Sequence, residues 1–325
     1  MTPITLLSEV PMSLSRQWIK GQFLKYLRKT LEFIRQERFG GSKMVRYNLT
    51  AGLRQIGQSF KMNPPAYKIT PLVGVVSNTD ALGWAITAKR QGIIRYLVAG
   101  PNLVVTPLDQ NGILCAPEID LVVTPSRWVS EHYLSMAPTL AGKLVEWPVG
   151  VDTELWAPDP AISRQDRAGW LVYDKTHAGG SVERNAVVEV LSQKREPVTL
   201  IVYGKYSHEE YRKKLQSAKA MIVFSPHESQ GISLLEAWAC DTPTLVWDRQ
   251  RVEWNGMVFN APSASSSPYL TNKCGKRFKN AEDFPRSLTE FEACLDTYRP
   301  RDYVLSLFTL RKTAENYISL FKKGE

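Results

Sequence analysis

The 325-residue sequence has few of the residues that build metal sites or disulfide frameworks. Its four cysteines (Cys115, Cys240, Cys274, Cys294) include no C-x2-C pair, and its four histidines (His132, His177, His208, His227) show no metal-ligand spacing. No Asp-x-Asp pair is present, so no metal ligand set is expected. No apolar stretch approaches the roughly 18 residues that span a bilayer. The N-terminal residues lack an apolar run followed by a cleavage site, so the expected location is cytoplasmic. With 43% apolar and 22% charged residues, disordered and low-complexity classes are excluded as well.

What is present is an asymmetry of charge. Residues 1–68 carry twelve Lys/Arg against three Glu, which is the whole formal excess of +9. Residues 69–325 are balanced. Such a one-ended excess marks a face for an anionic partner. Within it, residues 13–30 read as a helix in which Trp18, Phe23, Tyr26 and Leu27 interleave with basic residues. Three readings of this end stay open: a solvated helix packed on its domain, an interfacial helix at an anionic lipid surface, and a nucleic-acid arm. The first two rank equally, above the third. The lipid reading places residues 13–38 peripherally at the inner face of a membrane.

Along the chain, short apolar runs alternate with helical patterns. Expected strands are Leu31–Arg35, Leu72–Val76, Tyr96–Ala99, Leu121–Thr124 and Lys143–Trp147. Expected helices are Lys43–Ile56, closed by Gly57, Thr79–Gln91, and one capped by Ser126 running to Met136. After Pro148–Asp152, read as a linker, the alternation restarts. Strands are expected at Trp170–Tyr173, Val198–Tyr203, Ala220–Phe224 and Thr244–Trp247, with helices Val182–Lys194, Ser207–Ser217 and Gly231–Cys240 between them. Residues 249–285 read as irregular, and a final helix spans Val304–Phe321. The pattern is α/β: two Rossmann-like βαβ domains facing across a cleft, 1–150 and 151–303, followed by a helical end, 304–325.

The segment Phe224–Pro243 carries the chemistry. A strand ends, a polar loop follows, and a helix starts near Gly231 with glutamates eight residues apart, Glu228 and Glu236. A helix N-terminus presents unpaired N–H groups to a phosphate, Gly231 permits close approach, and carboxylates accept from vicinal hydroxyls. On spacing alone, two acids that merely complement the helix dipole stand as an equal reading.

The segment resembles the Glu-x7-Glu signature of family-4 (group 1) retaining glycosyltransferases of the GT-B fold, through Glu228, Gly231, Glu236, Ala237, Ala239 and Pro243. Gln230, Trp238 and Asp241 depart from it, at positions where an aromatic residue, Met and Gly are frequent. Phe39-Gly40-Gly41-Ser42, Leu121–Trp128, Trp147–Trp156, Leu171–Lys175 and Glu183-Arg184-Asn185 match further segments of that family in order. The resemblance implies a two-domain enzyme that moves a sugar from a nucleotide-diphosphate sugar, with retention and without metal or cofactor. The donor would sit in the C-terminal domain and the acceptor, whose identity is unknown, mainly in the N-terminal one, to which 304–325 would cross back. It implies that Glu236 accepts from ribose hydroxyls and Glu228 from the transferred sugar. The N–H groups of Gln230, Gly231 and Ile232 would hold the distal phosphate, and Gly40 and Gly41 would approach the donor phosphates. Lys175 and Arg184 would neutralise the leaving diphosphate. A glycosidase also uses two carboxylates, but one fixed beside a phosphate-binding helix start suits a nucleotide donor better. A DNA-base glucosyltransferase of the same fold and a non-catalytic nucleotide-sugar-binding relative are the alternatives.

Overall fold

The computed structural model describes residues 2–12, 41–176, 182–254, 257–259 and 264–325. The expected helix 13–30, the expected strand Leu31–Arg35, Gly40 and the basic segment 13–38 lie outside them. The chain forms two compact units, residues 1–125, 132–148 and 313–325 in one and 126–131 and 149–312 in the other.

The first unit is a six-stranded parallel sheet in the order β2-β1-β3-β4-β5-β6. Its strands are β1 (Ile4–Leu7), β2 (Phe60–Met62), β3 (Leu72–Val75), β4 (Tyr96–Ala99), β5 (Leu121–Thr124) and β6 (Leu144–Glu146). Its helices include α1 (Gly41–Gln55), α2 (Thr79–Arg90) and α3 (Arg127–Met136), the last shared with the second unit. Strands β1, β3 and β4 are buried along their whole length, as continuous apolar runs are in a parallel sheet covered on both faces. Gly74 in β3 is required by packing. A Cβ there would run into the hydroxyl of Tyr317, a fully buried residue of α9 (Leu310–Ser319). Trp147 donates its indole N–H to the Thr313 carbonyl (2.7 Å) and packs edge-on to Tyr317.

The second unit is a five-stranded parallel sheet in the order β13-β10-β9-β7-β8. These strands are β7 (Trp170–Asp174), β8 (Val198–Val202), β9 (Ala220–Phe224), β10 (Thr244–Trp247) and β13 (Gly275–Phe278). Alternate residues of each central strand enter opposite cores. Leu171, Tyr173, Met221 and Val223 join Tyr211, Leu235 and Trp238 on one face, while Trp170, Val172, Ile222 and Phe224 join Phe284 and Phe291 on the other. Helices α4 (Val182–Ser192), α5 (His208–Ser217), α6 (Ile232–Ala239), α7 (Phe284–Glu292) and α8 (Pro300–Leu307) cover it.

Several expectations need correction. Strands β1 and β2 were not expected, and β1 takes an interior place in its sheet. Gly41 is the first residue of α1, so the helix begins two residues earlier than expected and takes in half of the expected glycine loop. Ser126 does not cap α3: its hydroxyl is buried without a hydrogen-bond partner among the described residues. Residues 249–285 hold β13 and a small antiparallel pair, β11 (Val252–Trp254) and β12 (Met257–Phe259). The expected helix Val304–Phe321 is two helices broken at Phe308 and Thr309, where Val151 donates its N–H to the Phe308 carbonyl (2.9 Å).

Candidate functional site

The site grows from the carboxyl ends of β7 and β9. In a parallel sheet every strand delivers its last residue to the same edge, so Asp174-Lys175 and Ser225 become neighbours although fifty residues separate them. Lys175 donates from Nζ to Glu228 Oε1 at 2.7 Å, and the Ser225 hydroxyl lies 3.0 Å from that same oxygen. Glu228 is 8% exposed and its backbone is pinned twice. Its N–H donates to the Ser265 carbonyl (3.1 Å), and its carbonyl accepts from the indole N–H of Trp128 (2.8 Å). Burial alone would lower the Lys175 ammonium, but the charge and hydrogen bond of Glu228 outweigh it and hold the group above its ordinary value.

Arg184, on α4, is turned to a different partner. Its guanidinium pairs with Asp174, whose other oxygen accepts from the Thr176 N–H and hydroxyl. The Asp174 carboxyl is lowered: burial opposes ionisation, and the Thr176 bonds and Arg184 together overcome it. The structure thus brings Lys175 to Glu228 and Arg184 to Asp174, the residue just before Lys175.

Gly231 opens α6 in the left-handed region (φ 59°, ψ 38°), with no side chain capping the helix and no acid in its first turn. The space around it would admit a Cβ; the backbone angle is what selects glycine. The first-turn N–H groups of such a helix have no acceptors inside it. Glu236 lies one turn further in, 4% exposed, and no cation or hydrogen-bond donor among the described residues reaches its carboxylate. Burial pushes that carboxyl up to about 8. Gln230 is buried; its Oε1 accepts from the Val149 N–H (3.2 Å), and its Nε2 has no partner among the described residues. Asp241 closes α6 in the left-handed region (φ 58°), at the position where the resembled signature has glycine. His227 packs edge-on to Trp128.

Sequence reasoning missed the support behind this loop. The serine run read as irregular is buried at Ser265, Ser266 and Ser267. It wraps the carboxylate of Asp248, which accepts from the Ser265 hydroxyl (2.6 Å), the Ser266 N–H (3.2 Å) and Arg277 Nε (3.0 Å). The Ser266 hydroxyl then donates to the Ser225 carbonyl (2.6 Å). A lone Asp directly after a buried strand was the available signal. Among the described residues no group of three His, Cys, Asp or Glu is placed to hold a metal ion, and no helix is long and apolar enough to cross a membrane.

No protein-family model matches the chain, and no curated protein matches its sequence. Solved structures do match over nearly its whole length. It is 14% identical to sucrose-phosphate synthase from Thermosynechococcus elongatus, with TM-score 0.58 and 99% of each chain covered. It is 12% identical to the lipopolysaccharide outer core galactosyltransferase WaaB, with TM-score 0.60 and 99% of this chain and 100% of that one covered. It is 12% identical to Anabaena HepE, solved with UDP-glucose, with TM-score 0.58 and 99% of each chain covered. The fold is therefore GT-B, as the resemblance implied.

Proposed function

We propose that this chain is a glycosyltransferase that moves a sugar from a nucleoside-diphosphate sugar to an acceptor hydroxyl, with retention of configuration and without a metal ion. The observation that carries this reading is Glu236: a buried carboxylate without a partner among the described residues, inside a helix whose start is uncapped and which follows the loop where Lys175 pairs with a second glutamate, Glu228. A buried unpaired carboxylate is costly and is kept where a ligand supplies its hydrogen bonds. Ribose hydroxyls do so, while the diphosphate takes the N–H groups of Gln230, Gly231 and Ile232. Glu228 accepts from the transferred sugar. UDP is the first nucleotide to test, because HepE was solved with UDP-glucose.

In this reading the second unit, residues 151–303 in the sequence division, holds the donor, and the first takes the acceptor. Cleavage of the glycosyl–phosphate bond places positive charge on the anomeric carbon and negative charge on the leaving diphosphate. Lys175 and Arg184 neutralise the latter, and Asp174 orients Arg184. Each well-placed donor to a developing anion contributes about 3–4 kcal/mol. The departing phosphate takes the acceptor's proton. The basic segment 13–38 meets an anionic membrane from the cytoplasmic side, where a lipid-linked acceptor would lie.

Calorimetric titration of UDP and transfer from UDP-glucose to water or acceptor test the reading. Glu236→Ala should weaken UDP binding at least tenfold, and Glu228→Ala should lower turnover while UDP affinity persists. Chelator should leave both unchanged. Unaltered binding and turnover in both variants would sink the assignment.

A further inference from the structure

The proposed donor site lacks, so far, anything to hold a nucleobase, and the edge of the second sheet offers a candidate. Strand β8 is an edge strand, paired among the described residues with β7 alone. The loop at its carboxyl end reads Tyr203-Gly204-Lys205-Tyr206, turned by Gly204 in a left-handed conformation (φ 77°). The Tyr203 ring is 36% exposed and lies under the Lys175 ammonium, 5.0 Å from nitrogen to ring centroid. Tyr206 is half-buried and held from behind. Its hydroxyl is 3.1 Å from that of Tyr173, and its ring packs on Tyr173 and Tyr211 at centroid distances of 6.1 and 5.2 Å. Tyr211 in turn donates to the Ser233 carbonyl in the first turn of α6 (2.8 Å), which ties this aromatic group to the anion-binding helix start.

Packing fixes where Tyr206 stands: its ring lies on Tyr211, whose hydroxyl reaches Ser233 in the first turn of α6, and Glu236 is the fifth residue of that same short helix. Tyr211, which lies between Tyr206 and that helix, is wholly buried and closed to any ligand. Tyr206 is thus a partly open aromatic surface at the start of the helix that carries Glu236, the carboxylate assigned to ribose, and a base is joined directly to that ribose. A planar base gains about 1–3 kcal/mol by stacking on an aromatic side chain.

We propose that Tyr206 is the platform on which the base of the donor nucleotide stacks, with Tyr203 holding Lys175 at the diphosphate end of the same loop. This rests on the donor reading above. It reads a π-face and not a hydrogen-bonding edge, and it adds a binding residue that the Glu-x7-Glu pattern does not contain.

The test compares UDP with inorganic pyrophosphate, which keeps the charged part and lacks the base. Calorimetric titration of Tyr206→Leu should show UDP weakened about tenfold or more, with pyrophosphate affinity unchanged. Tyr206→Phe and Tyr206→Trp keep a ring and should bind UDP within about threefold of the unaltered chain. The unaltered chain should also show hypochromism of the UDP absorbance on binding, and this measurement needs no variant to fold. Equal loss of UDP and pyrophosphate in Tyr206→Leu assigns Tyr206 to packing and overturns the proposal, as does unchanged UDP affinity or absent hypochromism. An unaltered chain that binds pyrophosphate but no nucleotide overturns the platform; one that binds neither overturns the donor reading itself.

Discussion

Three strand-to-helix turns of this chain, built on the same plan, treat their helix starts differently. Helix α2 in the first unit is closed by Asn78, whose side chain accepts from the N–H groups of Asp80 (2.8 Å) and Ala81 (3.4 Å), and Asp80 adds a negative charge to the first turn. Helix α5 in the second unit is closed by Ser207, which accepts from the Glu210 N–H, and Glu209 and Glu210 follow. Helix α6 has Gly231 in place of a cap and no acid in its first turn. Capping is worth about 1 kcal/mol, and an acid near the dipole a few tenths more. The difference teaches that α6 forgoes local stabilisation that its neighbours take, and that an external anion is the group best suited to replace it.

The largest effect expected concerns the carboxylate behind that start. Folding raises Glu236 from an ordinary 4.5 to about 8. Between those values the folded chain holds a proton that the unfolded chain releases. The contribution to stability is therefore complete below pH 4.5 and is lost as pH rises through 8, at about 1.4 kcal/mol per unit. Glu236→Gln keeps the shape and removes the titration. Chemical denaturation should find it equal to the unaltered chain near pH 5 and more stable near pH 8, by on the order of 3 kcal/mol. A constant difference across that range would mean that Glu236 ionises freely. The same shift predicts that UDP binding at pH 7 releases a proton, seen as a dependence of binding heat on buffer ionisation.

Next in size is the conversion of α6 into a copy of α2. Ser233 occupies the second helical position, as Asp80 does in α2. Ser233→Asp should therefore favour the helix by a few tenths of a kcal/mol while its charge meets the diphosphate, so that UDP binds about tenfold more weakly or worse. Its melting temperature should not fall in proportion. If affinity and melting temperature fall together, the helix start is structural and not an anion site.

How much of this was legible in the sequence follows from burial. Strands β4, β5, β9 and β10 are uninterrupted apolar runs and their bounds were readable to the residue; β3 and β7 were readable to within one. Strand β13, Gly-Lys-Arg-Phe, sits at a sheet edge where two charged side chains cost nothing, so no hydrophobic pattern announced it. Strand β1 is four residues long and belongs to the sheet only through partners more than fifty positions away. In the site, Glu228, Gly231 and Glu236 were legible because one helix start sets their spacing. The Asp248–serine network was not, because its members meet only once two strands and a distant loop fold together. Tyr206 was hidden for the same reason: nothing local links it to Glu236.

The smallest effect is the reverse conversion, Asn78→Gly, and it separates an open helix start from a binding site. Asn78 already has φ 75°, so glycine inherits its backbone without strain and loses only the two cap bonds. The stability loss should be only about a few tenths of a kcal/mol in urea denaturation, because glycine is itself a tolerated cap residue. The α2 start would then match α6 in lacking a cap, yet it should acquire no affinity for UDP or pyrophosphate beyond that of the unaltered chain. The reason lies further along the helix. The fifth helical position of α6 is Glu236, and that of α2 is Gly83, with Asp80 still in the first turn to repel an anion. An additional nucleotide equivalent in the titration of Asn78→Gly would show that an uncapped start suffices, and the weight placed on Glu236 would have to move to the helix dipole alone.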